Sequence, residues 1–291
     1  MAIPDISTQT AGVVLPKEVS SQIIAETLED SAIMQLATQT SMPATGTTFQ
    51  TITGEPVADW VSETELKPVG THTFGSKAVT PYKMAVIEPF SAEFVRDKSA
   101  LYNECVRRLP YALSKKFDQT VLGTTAPGTG FDVLGDCTKV AINKDAYQAF
   151  VTVDGNIADA GGMLNGIALG AKGRSLLLAE TDGNGHPLFT PGVEAGSLGN
   201  ILGAPVSVKK PVYVAGKPAV VGIAGDFSNA FYGIADAITV SKSDQATLKL
   251  SDNTILYLWQ QNMVAVRVEF TVGFYVRDKA QYNLLTDGAT A

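Results

Sequence analysis

Apolar residues recur every four positions in the stretch SALYNECVRRLPYALSKKFDQTVLG: Leu101, Cys105, Leu109, Leu113, Phe117 and Val121. Val106, Ala112 and Leu122 widen that stripe, which predicts an amphipathic helix. Asp97 or Ser99 can cap its start and Gly123 can end it. From Ser99 to Leu122 the rod would be about 36 Å long at 1.5 Å per residue. Pro110 inside it cannot donate to the Val106 carbonyl, so a bend is expected there. Residues 16–37 carry Ile23, Ile24, Leu28, Ile33 and Leu36, a looser periodicity that predicts a second helical stretch. Alternation of period two marks strands. Val264, Val266, Val268 and Phe270 fall on one face near the C-terminus, and Arg267 and Glu269 on the other. Between these landmarks NGIALG reads as a buried strand and AKGRSLLLAET as a short helix. APVSVKKPVYV, KPAVVGIAGDF, FYGIADAITVS and ATLKLSD read as strand-like pieces between turns. The pattern mixes the two element types and predicts an α+β chain.

One segment lacks an apolar pattern altogether. VSETELKPVGTHTF (61–74) is polar and broken by Pro68 and Gly70. TTFQTI (47–52) precedes it and AVTPYKMAVIEPF (78–90) follows, so an antiparallel pair with a long tip is expected. Tight hairpins turn in two to five residues, and a lone two-stranded ribbon is marginal in water. Such a tip needs a surface outside itself to lie against. Residues 1–16 form a small-residue tail that stays disordered unless something holds it.

Composition narrows the function. The 291 residues have a net charge of −7 and a pI near 4.9, which argue against tight phosphate binding, since that needs clustered Lys and Arg. The charged fraction is 18%, below the usual quarter, and suggests that partners cover part of the surface. There is no run of about 18 apolar residues to span a membrane and no secretory-signal pattern at the start. Two cysteines, Cys105 and Cys137, are too few for a disulfide framework, and Cys105 reads as a small core residue.

Catalytic constellations are thin. His72 and His186 are the only histidines. Glu180, Asp182 and His186 supply oxygen and nitrogen near one another, but their spacing completes no ion-binding loop. AGSLG (195–199) has the outline of a nucleophile elbow, yet no histidine follows Ser197. The PGTGF and GNG turns lack the strand–loop–helix context of a phosphate cradle. Trp60 and Trp259 read as packing anchors, because no basic stripe accompanies them. No cofactor and no metal are expected, and the chain does not read as an enzyme.

The order of pieces is more specific than any one of them. A helix near EVSSQII precedes the hairpin ADWVSETELKPVGTHTF, then comes the long helix ending FDQTVLGTT. NGIALGAKGRSLLLAETDGNGHPLF, GNILGAPVSV, GIAGDFSNAFYGIADAITVS and VAVRVEFTVGFYVRDKAQYNLL follow. Together these resemble the major capsid proteins of tailed bacteriophages, with the Hong Kong ninety-seven-type shell fold, over nearly the whole chain. The resemblance implies an N-terminal arm and first helix (1–40) and an extended loop (41–90). It implies a peripheral domain with a long spine helix (91–130 and 251–291) and an axial domain (131–250). It also implies self-assembly into pentamers and hexamers of an icosahedral head around double-stranded DNA, in the virion, after assembly in the host cytoplasm. Implied partners are a portal protein, a separate scaffolding protein and a decoration protein. Contact with packaged DNA would be weak and non-specific. Some family members begin with a long cleavable scaffolding segment. Here the arm starts almost at once, so either scaffolding comes from a separate protein or the chain is the mature form, and the retained Met1 favours the former.

On this reading Trp60, Glu63, Glu65, Lys67 and Phe74 would touch a neighbouring subunit. In some members a loop lysine joins a neighbour's asparagine covalently, with a glutamate as base. Lys67, Asn262 and Glu269 occupy comparable places. The chemistry needs a deprotonated Lys67 amine to attack the Asn262 amide and release ammonia. The simpler reading is preferred: Lys67 is solvated or ion-paired at an interface, and Glu269 pairs with a base such as Arg267. Asn262 and Glu269 lie an odd number of residues apart, so in one regular strand they face opposite ways unless Asn262 precedes it. Two other functions fit less well: a cargo-compartment shell of the encapsulin type, and a soluble hydrolase with the hairpin as lid.

Overall fold

A computed structural model describes residues 31–54, 56–63, 66–97, 99–181, 184, 186, 188–189, 199–250 and 252–289. The tail at 1–16 and most of the helix expected at 16–37 lie outside them. The described chain opens on helix α1 (Ala32–Leu36) and strand β1 (Thr38–Ser41). Strands β2 (Thr47–Gly54) and β3 (Thr73–Val79) form an antiparallel ribbon. Strand β4 (Tyr82–Ser91) leads into helices α2 (Ala92–Asp97) and α3 (Ser99–Leu122). Then come β5 (Thr138–Ala141), α4 (Ala146–Asp159), β6 (Gly166–Leu169), α5 (Ala171–Ala179), β7 (Asn200–Ile201), β8 (Ala204–Val208) and β9 (Val220–Gly225). The long β10 (Ala230–Ser243), the short pair β11 (Thr247–Lys249) and β12 (Ile255–Tyr257), the long β13 (Met263–Val276) and β14 (Tyr282–Thr286) complete it.

Helix α3 is the element the periodicity foretold. Leu109, Leu113, Phe117, Val121 and Leu122 are buried, and the helix runs unbroken through Pro110. Ala112, expected on the stripe, is exposed instead. The buried face lies on a four-stranded sheet ordered β1-β10-β13-β4. Val266, Val268 and Phe270 of β13 meet it, as the alternation predicted, while Arg267 faces away and is exposed. Phe117, Phe131 and Phe274 close the core in a mutual ring contact at 6.0–6.4 Å. Gly233 of β10 stands opposite Gly273 of β13. A Cβ at either would come within 2.7 Å of the Met42 side chain. The paired glycines thus form the notch that seats Met42 over the sheet.

A second core lies under a six-stranded mixed sheet ordered β5-β14-β9-β6-β8-β7. NGIALG is its centre: all four residues of β6 are buried. Phe150, Val153 and Ile157 of α4 and Leu177 of α5 pack against it.

Sheet membership departs from the sequence ranges at three places. β10 falls within 131–250 but pairs with β1 and β13. β14 falls within 251–291 but pairs with β5 and β9 in the other sheet. β4 falls within 41–90 but is hydrogen-bonded to β13 along its whole length. The hairpin's return strand is therefore Thr73–Val79 rather than Ala78–Phe90, and Thr80 and Pro81 separate the two strands. Alternation marks a strand but does not name its partner, which is why the passages between sheets, β9 to β10 and β13 to β14 among them, were not legible.

The passages from β9 to β10 and from β13 to β14 converge on one residue, Asp226. Asp226, just after β9, accepts from the Asn165 amide (2.7 Å), the Ser228 hydroxyl (2.5 Å) and the Asn229 amide (3.2 Å). Its carbonyl accepts from the Tyr282 hydroxyl at 2.6 Å, where β14 begins.

Candidate assembly surface

The β2–β3 ribbon is fastened at its base and uncovered at its tip. At the base Phe49 stacks on Tyr275 at 4.2 Å, and Val79 and Met42 are buried beside them. The hairpin thus has a small core at its root, shared with β13. Lys77 of β3 ion-pairs with Asp132 and donates to the Val276 carbonyl at 2.8 Å. Asp132 in turn accepts from the Val276 amide at 2.9 Å. Farther out the two limbs close on each other where Gly70 meets Pro56. A Cβ on Gly70 would lie 2.2 Å from that of Pro56. Beyond this, large apolar side chains stand in solvent: Trp60 is 100% exposed, Leu66 94% and Val69 93%, and on β3 itself Phe74 is 71% exposed. Glu63 and Lys67 are exposed with them. Glu65 lies outside the described residues.

Trp60 and Trp259 therefore do not act as packing anchors within the chain, since Trp259 is 73% exposed. Trp259 belongs to a second uncovered patch with Ile255 and Tyr257 on the β11–β12 hairpin. Leu66, Val69 and this second patch escaped sequence reasoning. For Leu66 and Val69 the signal was apolar residues in a segment with no helical or strand-face period, and for Ile255 and Tyr257 an alternation on a strand face that the fold leaves uncovered.

The Lys67, Asn262 and Glu269 trio is not assembled in one chain. Asn262 precedes β13 in a tight turn with φ 52°, its carbonyl accepting from the Ala92 amide at 2.9 Å. From Met263 to Glu269 the strand pairs with β4 without a register shift. Six extended steps carry Glu269 about 20 Å from Met263 and so from the turn that holds Asn262. Glu269 instead approaches Arg267 at 3.6 Å, and Arg267 reaches the Ser241 hydroxyl at 3.3 Å.

Elsewhere the titratable groups are structural. The buried Asp118 of α3 accepts from the Ser31 hydroxyl at 2.6 Å and the Ala32 amide at 3.0 Å. Burial pushes its carboxyl up to about 7, against the pull of those bonds and the charge of Lys209. Burial likewise pushes the Cys137 thiol up to about 11, the reverse of an activated nucleophile. Both cysteines are free. His186 lies at an exposed turn whose neighbours Asp182, Gly183 and Gly185 are outside the described residues, as is most of AGSLG. Among the described residues there is no group of three metal-ligating side chains, and no helix is long and apolar enough to cross a membrane.

The phage capsid family model matches residues 11–286. The chain is 31% identical to the probable major capsid protein gp17 of Mycobacterium phage D29, covering 94% of this chain and 90% of that one. It is 30% identical to the gp17 counterpart of Mycobacterium phage L5, over 94% and 89%. A solved chain from Mycobacterium phage Cain has the same fold, with a TM-score of 0.73 at 23% identity over 90% of this chain and 92% of that one. With the family model matched over residues 11–286 and two relatives at 30–31% identity, the chain belongs to the phage capsid family as a structural protein of the virion shell.

Proposed function

We propose that copies of this chain tile a closed icosahedral head as rings of five and six around double-stranded DNA, each laying its β2–β3 hairpin on a neighbour. One observation carries this reading: the hairpin exposes Trp60, Leu66 and Val69 at its tip and Phe74 on β3, which a solitary ribbon in water does not stabilise. Contacts of this kind are head-to-tail, and such contacts close into rings. The interfaces expected are of the obligate class, 2,000 Å² or more. In this reading α3 with the four-stranded sheet is the peripheral unit, and the six-stranded sheet with α4 and α5 is the axial unit. Residues 1–40 form an arm. Trp60, Glu63, Glu65, Lys67 and Phe74 are assigned to the neighbour contact. A scaffolding protein, a portal and a decoration protein are the further partners, and no catalysis is assigned.

The test is electron microscopy of the chain expressed with its scaffold, beside a variant whose residues 56–70 are replaced by Gly and Ser. Closed shells are expected from the first, and soluble unassembled subunits from the second. Closed shells from both would refute the assignment.

A further inference from the structure

Helix α4 carries a glycine at the crest of its outward side. Ala149, Phe150, Val153 and Ile157 turn into the core, and Gly155 lies opposite them with Val151 and Ala158, all three exposed. Glycine weakens a helix interior relative to alanine. The subunit itself has no use for it there: the backbone is helical without a positive φ, and a Cβ would meet nothing within 4 Å. A glycine that neither turns the chain nor relieves a contact inside it makes room for something outside it. The charges around the six-stranded sheet are sorted as well. From Asp145 to Ala171 the chain has three carboxylates, Asp145, Asp154 and Asp159, and no lysine or arginine. From Gly199 to Gly225 it has three lysines, Lys209, Lys210 and Lys217, and no carboxylate. Ile167 and Leu169 of β6 turn toward α4, whereas Ala168 turns toward the core that holds Val212 of the β8–β9 loop. Helix α4 and that loop therefore lie on opposite faces of the sheet. Asp154, Asp159, Lys210 and Lys217 are exposed and have no ion-pair partner among the described residues.

We propose that a second copy docks its β8–β9 loop on the crest of α4, with Gly155 leaving room for the close approach and Lys210 and Lys217 facing Asp154 and Asp159. The inference rests on the capsid reading above and gives ring neighbours a contact besides the hairpin. Charge chooses the occupant. The hairpin tip carries Asp59, Glu63 and Glu65 against Lys67, the same sign as α4, and would be repelled. Duplex DNA is repelled for the same reason. The β8–β9 loop has the opposite sign and also presents Tyr213, 37% exposed, to the apolar Tyr147 and Val151 of α4. A unit with an acidic helix on one face and a basic loop on the other complements itself only head to tail, and such contacts close into rings. Exposed ion pairs contribute little on their own. The fit at Gly155 therefore sets the strength of the contact, and the charges set which faces meet. Gly155 is a residue kept for assembly in a helix that alanine would make more stable.

The experiment compares wild type with Gly155→Ala and Gly155→Leu, each expressed with the scaffold. Both variants are expected to melt as unassembled subunits no lower than wild type, since the crest is open within the chain. Gly155→Leu is expected to raise the subunit concentration needed for shells at least about ten-fold, and Gly155→Ala by less. Shells from Gly155→Leu at the wild-type concentration would overturn the inference. Zero-length carbodiimide crosslinking of the wild type, read by peptide mass spectrometry, decides independently of how the variants fold. A link from the peptide holding Asp154 and Asp159 to Lys210 or Lys217 is expected in shells and not in unassembled subunits. Its absence from shells, or its replacement by a link to the hairpin's Lys67, would overturn the inference. Failure of the wild type to form any shell would count against the capsid reading instead, which keeps the two apart.

Discussion

The Asp118 carboxylate and the Ser31 hydroxyl meet at 2.6 Å across 87 residues of sequence, both fully buried. Ser31 caps α1 by accepting from the Met34 amide, and Asp118 binds the Ala32 amide beside it. The C-terminal half of the long helix thereby fixes the start of α1.

Asp118 makes the subunit's stability depend on pH. Its folded pKa, about 7, is raised from 3.8, so the folded state holds a proton that the unfolded state releases. The sign is that stability falls as pH rises from about 4 to about 7, and is level above that. Asp118→Asn should flatten this slope. Asp118→Ala should cost about 1–3 kcal/mol by orphaning the Ser31 and Ala32 donors. Thermal melts of unassembled subunits at pH 5, 6, 7 and 8 check both. A wild-type melting temperature that rises across this range would contradict the argument.

Trp60 separates folding from assembly. Being fully exposed, its replacement by Ala should change subunit stability by no more than about 0.5 kcal/mol. As a buried anchor at an interface it should cost assembly about 2 kcal/mol or more per contact. The critical subunit concentration for shell formation, followed by light scattering, would show this. A normal threshold would remove Trp60 from the interface.

Asp132 clamps the root of the hairpin through Lys77 and the Val276 amide. Asp132→Ala leaves that amide unpaired, with an expected loss of about 1–3 kcal/mol. Hydrogen exchange should quicken first in Thr73–Val79 and at Val276. Uniform quickening over the whole chain would mean that the clamp supports the core, not the hairpin.

Mature particles should run as a single monomer band on a denaturing gel, because Glu269 stands about 20 Å along β13 from Met263, at the turn that holds Asn262. A ladder would show that a glutamate from another copy completes a covalent link to Lys67.

Gly155 lies in the interior of α4, and a Cβ there meets nothing within 4 Å. Gly155→Ala should stabilise the isolated subunit by about 0.4–1 kcal/mol. Chemical denaturation measures this directly, and a destabilised subunit would refute it.

The sequence by itself determined the elements whose signal is local. The stripe from Leu109 to Leu122 made α3, continuous burial made β6, and alternation from Val264 to Phe270 made β13. Each follows from a period that neighbouring residues carry. The polar, broken stretch after Ile52 disclosed the hairpin, and the order of pieces disclosed the family. Only the tertiary structure decided which strands pair. It placed β10 beside β1 and β13, carried β14 across to β9, and split the return of the hairpin from β4 at Thr80 and Pro81. It also decided which apolar residues remain uncovered, leaving Trp60 and Trp259 in solvent. Pairing and cover depend on contacts between residues far apart in the chain, and no local period encodes them.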